Sequence, residues 1–121
     1  MSAPAKNWVL PIFTDKEGFR SMTLRGSEAR AITADQFDVA DLNITVFSGD
    51  AAAHVDTMFL SPAASFFQND KRARGEKSVR VIRDDLEASG QRWVYDHAEK
   101  KVSLDGRVRI VFRAEIKDLL Q

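Results

Sequence analysis

A strand-turn-strand unit that occurs three times constrains the fold of this chain more than any other feature of its sequence. The clearest copy spans residues 86–112, an early copy spans residues 22–47, and a weaker copy lies between them at residues 57–82. The early and late copies align to within one residue, since Gly26 and Gly90 are 64 positions apart and Phe47 and Phe112 are 65 apart. One such unit cannot bury its apolar face alone, whereas stacked units form one continuous apolar seam.

Apolar and polar residues alternate within these units, which is the pattern of half-buried β-strands. Clear examples are residues 42–46 and 79–81. Short alternating segments separated by turn residues predict an all-β fold of many short antiparallel strands. We expect residues 1–18 to form an N-terminal arm and a first strand, and residues 19–121 to form the main domain.

Four places depart from the alternation. A slip of one residue near Ala40 and Asp41 predicts a β-bulge or kink. The Asp105-Gly106 pair predicts a second bulge or a tight bend. Pro62 predicts a break after a strand, because proline donates no ladder hydrogen bond. Residues 114–120 are compatible with a helix or with an amphipathic terminal strand.

Composition excludes several classes of protein. With 121 residues the chain is predicted to be one domain with a real core. Its 18 basic and 18 acidic residues cancel, which argues against a strongly cationic nucleic-acid binder. The absence of cysteine excludes disulfides and thiolate chemistry. No run of 18 apolar residues is present, and the first ten residues do not follow the pattern of a signal peptide.

The sequence predicts no catalytic centre, cofactor site or metal site. His54 and His97 have no partner at metal-ligand spacing, so both are interpreted as polar surface or turn residues rather than as ligands or general bases. Asp84 and Asp85 point to opposite faces if they lie on a strand, so a solvated turn is favoured over paired catalytic carboxylates. The chain is therefore not expected to be an enzyme.

Two features leave the binding function open. The basic run at residues 71–74, with further basic residues to 83, could bind phosphate or anionic lipid headgroups, but a solvated hairpin tip is favoured. Trp93 and Tyr95 lie on one face of a strand, among eight phenylalanines in the chain. These aromatic residues fit a packed core and an open apolar groove for acyl chains equally well.

Three segments resemble the repeat of the OstA-like lipopolysaccharide-transport proteins. They are Glu87-Ala88-Ser89-Gly90, Trp93-Val94-Tyr95-Asp96 and Val102-Ser103-Leu104-Asp105-Gly106-Arg107-Val108-Arg109-Ile110. The family pattern places Ala-x-Gly before Tyr-Asp, and Leu-x-Gly-x-Val-x-Ile after a polar turn. Residues 24–29 followed by 39–47 are similar to the opening unit of LptC, the member with which the chain shares most, and the resemblance covers about residues 19–112.

This resemblance implies a fold and a function. The fold is an antiparallel, twisted and open β-jellyroll (a β-taco), whose apolar interior shields the acyl chains of lipid A. The function is periplasmic lipopolysaccharide transport, with an inner-membrane lipopolysaccharide ABC transporter and an LptA-like periplasmic protein as partners. Anchoring to the inner membrane by an N-terminal segment absent from this chain is expected for an LptC-like protein.

Site residues follow from combining the resemblance with the alternation. Predicted contacts to acyl chains are the apolar-register residues Ile44, Val46, Phe59, Val81, Tyr95, Val108 and Ile110. The edge strand predicted to pair with a partner of the same fold, or with a second copy of this chain, presents Val108, Ile110 and Phe112. A proline at Val111 is expected to break that pairing if the Val111 amide points to the partner.

Other functions remain open at this stage. Within the family, an LptA-like soluble bridge is the second interpretation. From a different class, the chain could be a structural β-module that only makes protein contacts through its edge strands. A carbohydrate-active enzyme is disfavoured, because no suitable pair of carboxylates is present.

Overall fold

Seven antiparallel strands form a single sheet in the computed structural model, which describes residues 3–113. Each strand pairs only with its sequence neighbours, in the order β1-β2-β3-β4-β5-β6-β7. The strands are β1 (Ala5–Phe13), β2 (Arg20–Ala31), β3 (Gln36–Phe47), β4 (Val55–Phe67), β5 (Arg72–Ile82), β6 (Leu86–Asp96) and β7 (Lys101–Phe112). The predicted all-β antiparallel class is confirmed. The predicted terminal helix or strand at 114–120 lies outside the described residues.

The first strand belongs to this sheet, because β1 pairs with β2 from Ala5 to Phe13. It forms one edge of the sheet and β7 forms the other, so the sheet is open. Within residues 3–113 there is no helix of the length and hydropathy needed to cross a membrane.

A line of interrupted pairing, which we call the crease, crosses the sheet near the middle of its strands. Four crease residues have left-handed backbone angles with φ between 50° and 52°: Asn7, Asp41, Arg92 and Arg107. The β4–β5 pairing breaks between Leu60 and Ser65, around Pro62. Each left-handed residue moves the following side chains to the other face, which explains why Val39 and Leu42 are both buried although they are three positions apart.

The crease divides the sheet into two halves, and the contacts show that the halves face each other. Half-sheet 1 contains residues 8–13, 20–25, 42–47, 55–60, 78–82, 86–91 and 108–112. Half-sheet 2 contains residues 5–6, 28–31, 36–40, 63–67, 72–75, 93–96 and 101–105. Phe59 of half-sheet 1 lies opposite Val81 on the next strand, and Val81 lies opposite Ala88. Trp93 of half-sheet 2 follows Ala88 by five residues along β6. A flat sheet would separate Phe59 and Trp93 by roughly 19 Å, yet their ring centroids are 6.0 Å apart.

The apolar core fills the space between the two half-sheets. Trp8 and Phe37, from opposite sides of the crease, also approach to 5.8 Å between ring centroids. The largest fully buried side chains are Trp93, Phe59, Phe66, Met22, Leu24, Leu42, Ile44, Val46 and Val79. Burial of each large apolar side chain contributes about 1.5–3 kcal/mol, so folding at the crease supplies much of the driving force for this fold.

Two local predictions require correction. Pro62 does not end a strand, because β4 continues from Val55 to Phe67. The proline is accommodated at the crease, where the ladder to β5 is already interrupted. The basic run at residues 71–74 is not wholly a hairpin tip either, since β5 begins at Arg72. The predicted irregularities at 40–41 and 105–106 are confirmed, because both lie at the crease.

Candidate functional site

The interior between the half-sheets is the strongest candidate site, because it gathers the residues predicted to contact acyl chains. Ile44, Val46, Phe59, Val81 and Tyr95 are all buried in one apolar cluster. In half-sheet 1, Ile44 aligns across the strands with Leu24 and Phe59, so these three side chains line one wall. The aromatic ring of Tyr95 belongs to the opposite wall and lies 4.6 Å from that of Phe59, centroid to centroid.

The interior is open to solvent along β7. Val108, Ile110 and Phe112 are 50%, 51% and 75% exposed. By register, Ile110 lies opposite the buried Ala88 and therefore on the interior face. Val102 lies opposite Tyr95 on the same face and is also exposed, a contribution that the sequence analysis missed. The apolar seam of the core thus continues to an edge that nothing else in residues 3–113 covers, as expected of an interaction surface.

The backbone of β7 also has groups at this edge that pair with nothing in residues 3–113. The Arg113 amide donates a hydrogen bond of 2.8 Å to the Asp85 carbonyl, which fixes the phase of the β6–β7 ladder. Hydrogen-bonded and non-hydrogen-bonded pairs alternate in an antiparallel ladder. The Val111 amide therefore points towards β6, whereas the amides of Ile110 and Phe112 point away from the sheet. A proline at Val111 would break pairing with a partner only if the Val111 amide pointed to that partner, and it does not. The proline test therefore belongs at Ile110.

We define the mouth as the gap opposite the crease, where the turns of the two half-sheets meet. It is bounded by residues 14–19, 48–54 and 83–85 on one side and by 32–35, 68–71 and 97–100 on the other. His97 lies in this mouth and is only 6% exposed. The interpretation of His97 as a surface residue was wrong, although its placement in a turn was correct.

Hydrogen bonds from both half-sheets converge on the His97 ring. The distance from Nε2 to the Ser21 Oγ is 2.6 Å, and that from Nδ1 to the Tyr95 hydroxyl is 2.8 Å. Lys100 Nζ lies 3.5 Å from Nδ1. Since an ammonium group can only donate, we assign Nδ1 as the acceptor and Nε2–H as the donor to Ser21. The spacing of Tyr95 and His97, two residues apart on one face, was the sequence signal that could have placed His97 inside.

Burial controls the protonation of this cluster. Desolvation, with the nearby charges of Lys100 and Lys71, lowers the pKa of His97 from its usual 6.5 to about 4, against an opposing effect of Asp96. Desolvation also raises the pKa of Tyr95, helped by Asp56 and Asp96. At neutral pH the ring of His97 is therefore uncharged, and the Tyr95 hydroxyl keeps its proton.

The residues of the basic run and its neighbours make local contacts on the outer surface. Arg72 forms a 3.0 Å ion pair with Asp96. The hydrogen bond within this pair raises the pKa of the Arg72 guanidinium. The guanidinium of Arg74 lies 5.0 Å from the centroid of the Phe67 ring. Arg80 pairs with Glu87 at 2.6 Å. Contacts of this kind support the interpretation of a solvated surface over that of a phosphate site.

The outer face also has a cleft beside the crease, with a volume of about 530 Å³. Ala40 and Ala63 line it together with charged residues of both signs, such as Glu28 and Lys77. This cleft is more polar than the interior and lies on the other face of the sheet. None of the predicted site residues lines it.

Nothing in residues 3–113 forms a cluster of three or more His, Asp or Glu residues suited to a metal ion. Asp84 and Asp85 lie in the β5–β6 turn, as predicted, and Glu87 accepts from Arg80 and Arg113. His54 lies in the β3–β4 turn and is exposed. What the arrangement provides chemically is an apolar interior filled by side chains, whose exposed continuation lies along β7.

The architecture matches that of a known transport protein. A solved structure, LptH from Pseudomonas aeruginosa, aligns with 93% of this chain and 94% of its own length at a TM-score of 0.63 and 15% sequence identity. This chain has the LptA-like β-jellyroll fold. LptH is described as the LptA homologous periplasmic component of a conserved lipopolysaccharide transport device. No protein-family profile and no curated protein matches the sequence.

Proposed function

We propose that this chain is a periplasmic, non-enzymatic component of lipopolysaccharide transport that shields lipid A acyl chains in its apolar interior. The observation that carries the proposal is the apolar seam that runs from the buried core to the exposed Val108, Ile110 and Phe112 at an open sheet edge. The likeness in fold to LptH supports it. Each methylene group taken from water contributes about 0.8 kcal/mol, so even part of an acyl chain provides useful and reversible affinity.

In this proposal the β7 end passes lipid to a partner of the same fold. A second sheet that pairs with β7 would use the outward amides of Ile110 and Phe112, and its own interior would extend the apolar seam. An inner-membrane lipopolysaccharide ABC transporter and an LptA-like periplasmic protein are the proposed partners. The first form of the proposal is an LptC-like component anchored to the inner membrane, and the second is an LptA-like soluble bridge.

Photo-crosslinking to lipopolysaccharide tests the lipid-binding proposal directly. A photoreactive residue at Ile110 faces the interior, and one at Arg109 faces outward at a neighbouring position of the same strand. We expect crosslinks from Ile110, and more weakly from the buried Val81, with none from Arg109, Thr45 or Arg80. Equal labelling at Ile110 and Arg109, or labelling from the outward positions alone, would contradict an interior site.

A structural β-module without a lipid ligand is the second candidate, favoured by the unpaired backbone of β7 alone. It predicts that the chain associates with a partner of the same fold in the absence of lipopolysaccharide. It also predicts no lipid crosslink from any interior position, so the same set of photoreactive variants separates the two functions.

A further inference from the structure

The hydrogen bond between Ser21 and His97 joins the two half-sheets at the mouth. Ser21 lies at the start of β2 in half-sheet 1, and His97 follows β6 in half-sheet 2, 76 positions later in the chain. These two strands are not neighbours in the sheet. The hydrogen bond therefore fixes the separation of the two walls, which backbone pairing between adjacent strands does not set.

The other ion pair across the mouth among the described residues is weaker, and Asp56 of half-sheet 1 acts on Tyr95 and Lys100 only as a nearby charge. Lys71 Nζ lies 3.9 Å from Asp15 Oδ1, and the Asp15 side chain is 94% exposed. Exposed pairs of this length contribute little to stability. By contrast, His97 is held from three directions, since its backbone amide donates to the Lys71 carbonyl at 3.0 Å and its ring contacts both Ser21 and Tyr95.

The His97 cluster lies directly above the aromatic part of the core. The Tyr95 hydroxyl bonds to His97 while the Tyr95 ring packs on Phe59. Separation of Ser21 from His97 would thus remove the polar cover from the interior at the point where its two walls are linked by aromatic contacts. The β7 end, in contrast, is exposed without any such movement.

We propose that Ser21 and His97 form a strap that holds the mouth closed, and that its release opens the interior between the turns of the two half-sheets. The strap is a second route of access, distinct from the β7 end. It depends on the fold alone, so it stands or fails independently of the proposed lipid.

Single cysteine probes test the strap, because the chain has no cysteine of its own. Ala73 faces the interior next to the mouth, opposite Tyr95, whereas Ala29 faces it near the crease. Both are buried, and Ala→Cys adds one sulfur atom. We expect Ser21→Ala to raise the thiol-labelling rate of Ala73→Cys roughly fivefold, the factor that corresponds to one net hydrogen bond, and to leave the rate of Ala29→Cys unchanged.

The matched control is Thr23→Val, which removes a buried hydroxyl two residues further along β2, opposite Thr45 and without a hydrogen bond to His97. It should change neither labelling rate. Equal acceleration of both thiols by Ser21→Ala would indicate general loosening and would overturn the strap, as would no acceleration at Ala73→Cys or an equal effect of Thr23→Val.

A distance measurement gives an independent readout. Spin labels at Glu17 and Glu99 report the width of the mouth from two exposed turns on opposite sides. The intact strap predicts one narrow distance distribution, and Ser21→Ala predicts a broader one with a longer mean. An unchanged distribution in a folded Ser21→Ala protein would overturn the proposal.

Discussion

The rings of Phe59 and Tyr95 approach to 4.6 Å between centroids although they lie on opposite sides of the crease. Phe59 also stacks on Trp93, so this one side chain contacts two aromatic residues of the opposite wall. It is fully buried. Phe59 is therefore central to the contact between the two half-sheets, although Trp93 and Tyr95 would lie far from it if the sheet were flat.

Replacement of Phe59 by alanine should destabilise the protein strongly. Loss of the ring leaves a cavity between the two walls, and Phe→Ala in a core costs about 3–5 kcal/mol. The measurement is the free energy of unfolding in urea. Phe13→Ala is the control, because Phe13 is half-exposed on the outer face of β1, and it should cost under about 1 kcal/mol. Similar losses from both variants would contradict the central position of Phe59.

Replacement of Gly75 by alanine should cost about 1–3 kcal/mol through overpacking. A Cβ at this position would lie 2.5 Å from the Trp93 Nε1, within a buried indole that has little room to move. Trp93 Nε1 already has no hydrogen-bond partner among the described residues. Thermal unfolding is a suitable measurement.

Gly106→Ala is a matched control for Gly75→Ala. A Cβ at Gly106 would also meet an atom at 2.5 Å, but that atom belongs to the Arg92 guanidinium, which is exposed and able to move away. The expected loss is within about 0.5 kcal/mol. A loss at Gly106 as large as that at Gly75 would show that the backbone of the crease, and not the Trp93 indole, sets the cost.

Stability should fall as the pH is lowered from 6.5 to about 4. The pKa of His97 is lower in the folded protein than its usual 6.5, so the unfolded chain binds the proton more tightly throughout this interval. One proton gives a slope of up to about 1.4 kcal/mol per pH unit. The groups that face the ring are Tyr95 and Ser21, with the charges of Lys100, Lys71 and Asp96 nearby.

His97→Gln tests this pH dependence, because glutamine can still hydrogen-bond but does not titrate. We expect the variant to be less stable at pH 7 and to lose most of the slope between pH 6.5 and 4. Urea unfolding at several pH values provides the measurement. An undiminished slope in the variant would assign the pH dependence to other groups, such as Asp96, whose pKa is lowered mainly by its hydrogen bond with Arg72.

Proline at Ile110 should weaken association with a partner of the same fold at least tenfold while the β6–β7 ladder stays intact. The reason is that the Ile110 amide points away from β6, where no strand of residues 3–113 pairs with it and an incoming strand can. Analytical ultracentrifugation or a pull-down with the partner gives the affinity.

Two further variants separate backbone from side-chain effects at this edge. Ile110→Ala keeps the amide and should lose less affinity than Ile110→Pro. Val111→Pro should instead destabilise the protein, since the Val111 amide points towards β6. Binding that is unaffected by Ile110→Pro would place the interface on another edge, such as β1.

The strands were predictable because period-2 alternation reports directly on which residues share a face. Met22, Leu24 and Ile44 follow this rule and all face the core. The face-to-face packing of the two half-sheets was not predictable from alternation, because it depends on where single residues adopt left-handed backbone angles. Asp41 gave a visible slip, but Arg92 and Arg107 belong to a residue type that rarely adopts this conformation.

The candidate site was predictable in composition and less so in arrangement. The predicted interior residues do lie on one face, whereas their burial against the opposite wall follows only from the fold at the crease. His97 was misjudged for the same reason, since its partner Ser21 is 76 positions away and no local pattern relates the two. Contacts between distant segments carry no periodic signal.

The crease has a consequence for how such a protein could change in length. Since the strands cross the crease, a hairpin contributes a piece of both walls together with its own bend. Another hairpin added beyond β7 would lengthen the interior along the sheet without altering the distance between its two walls. The length of the interior in this architecture is therefore set by the number of repeated units, whereas the separation of the two half-sheets is set by residues within each unit.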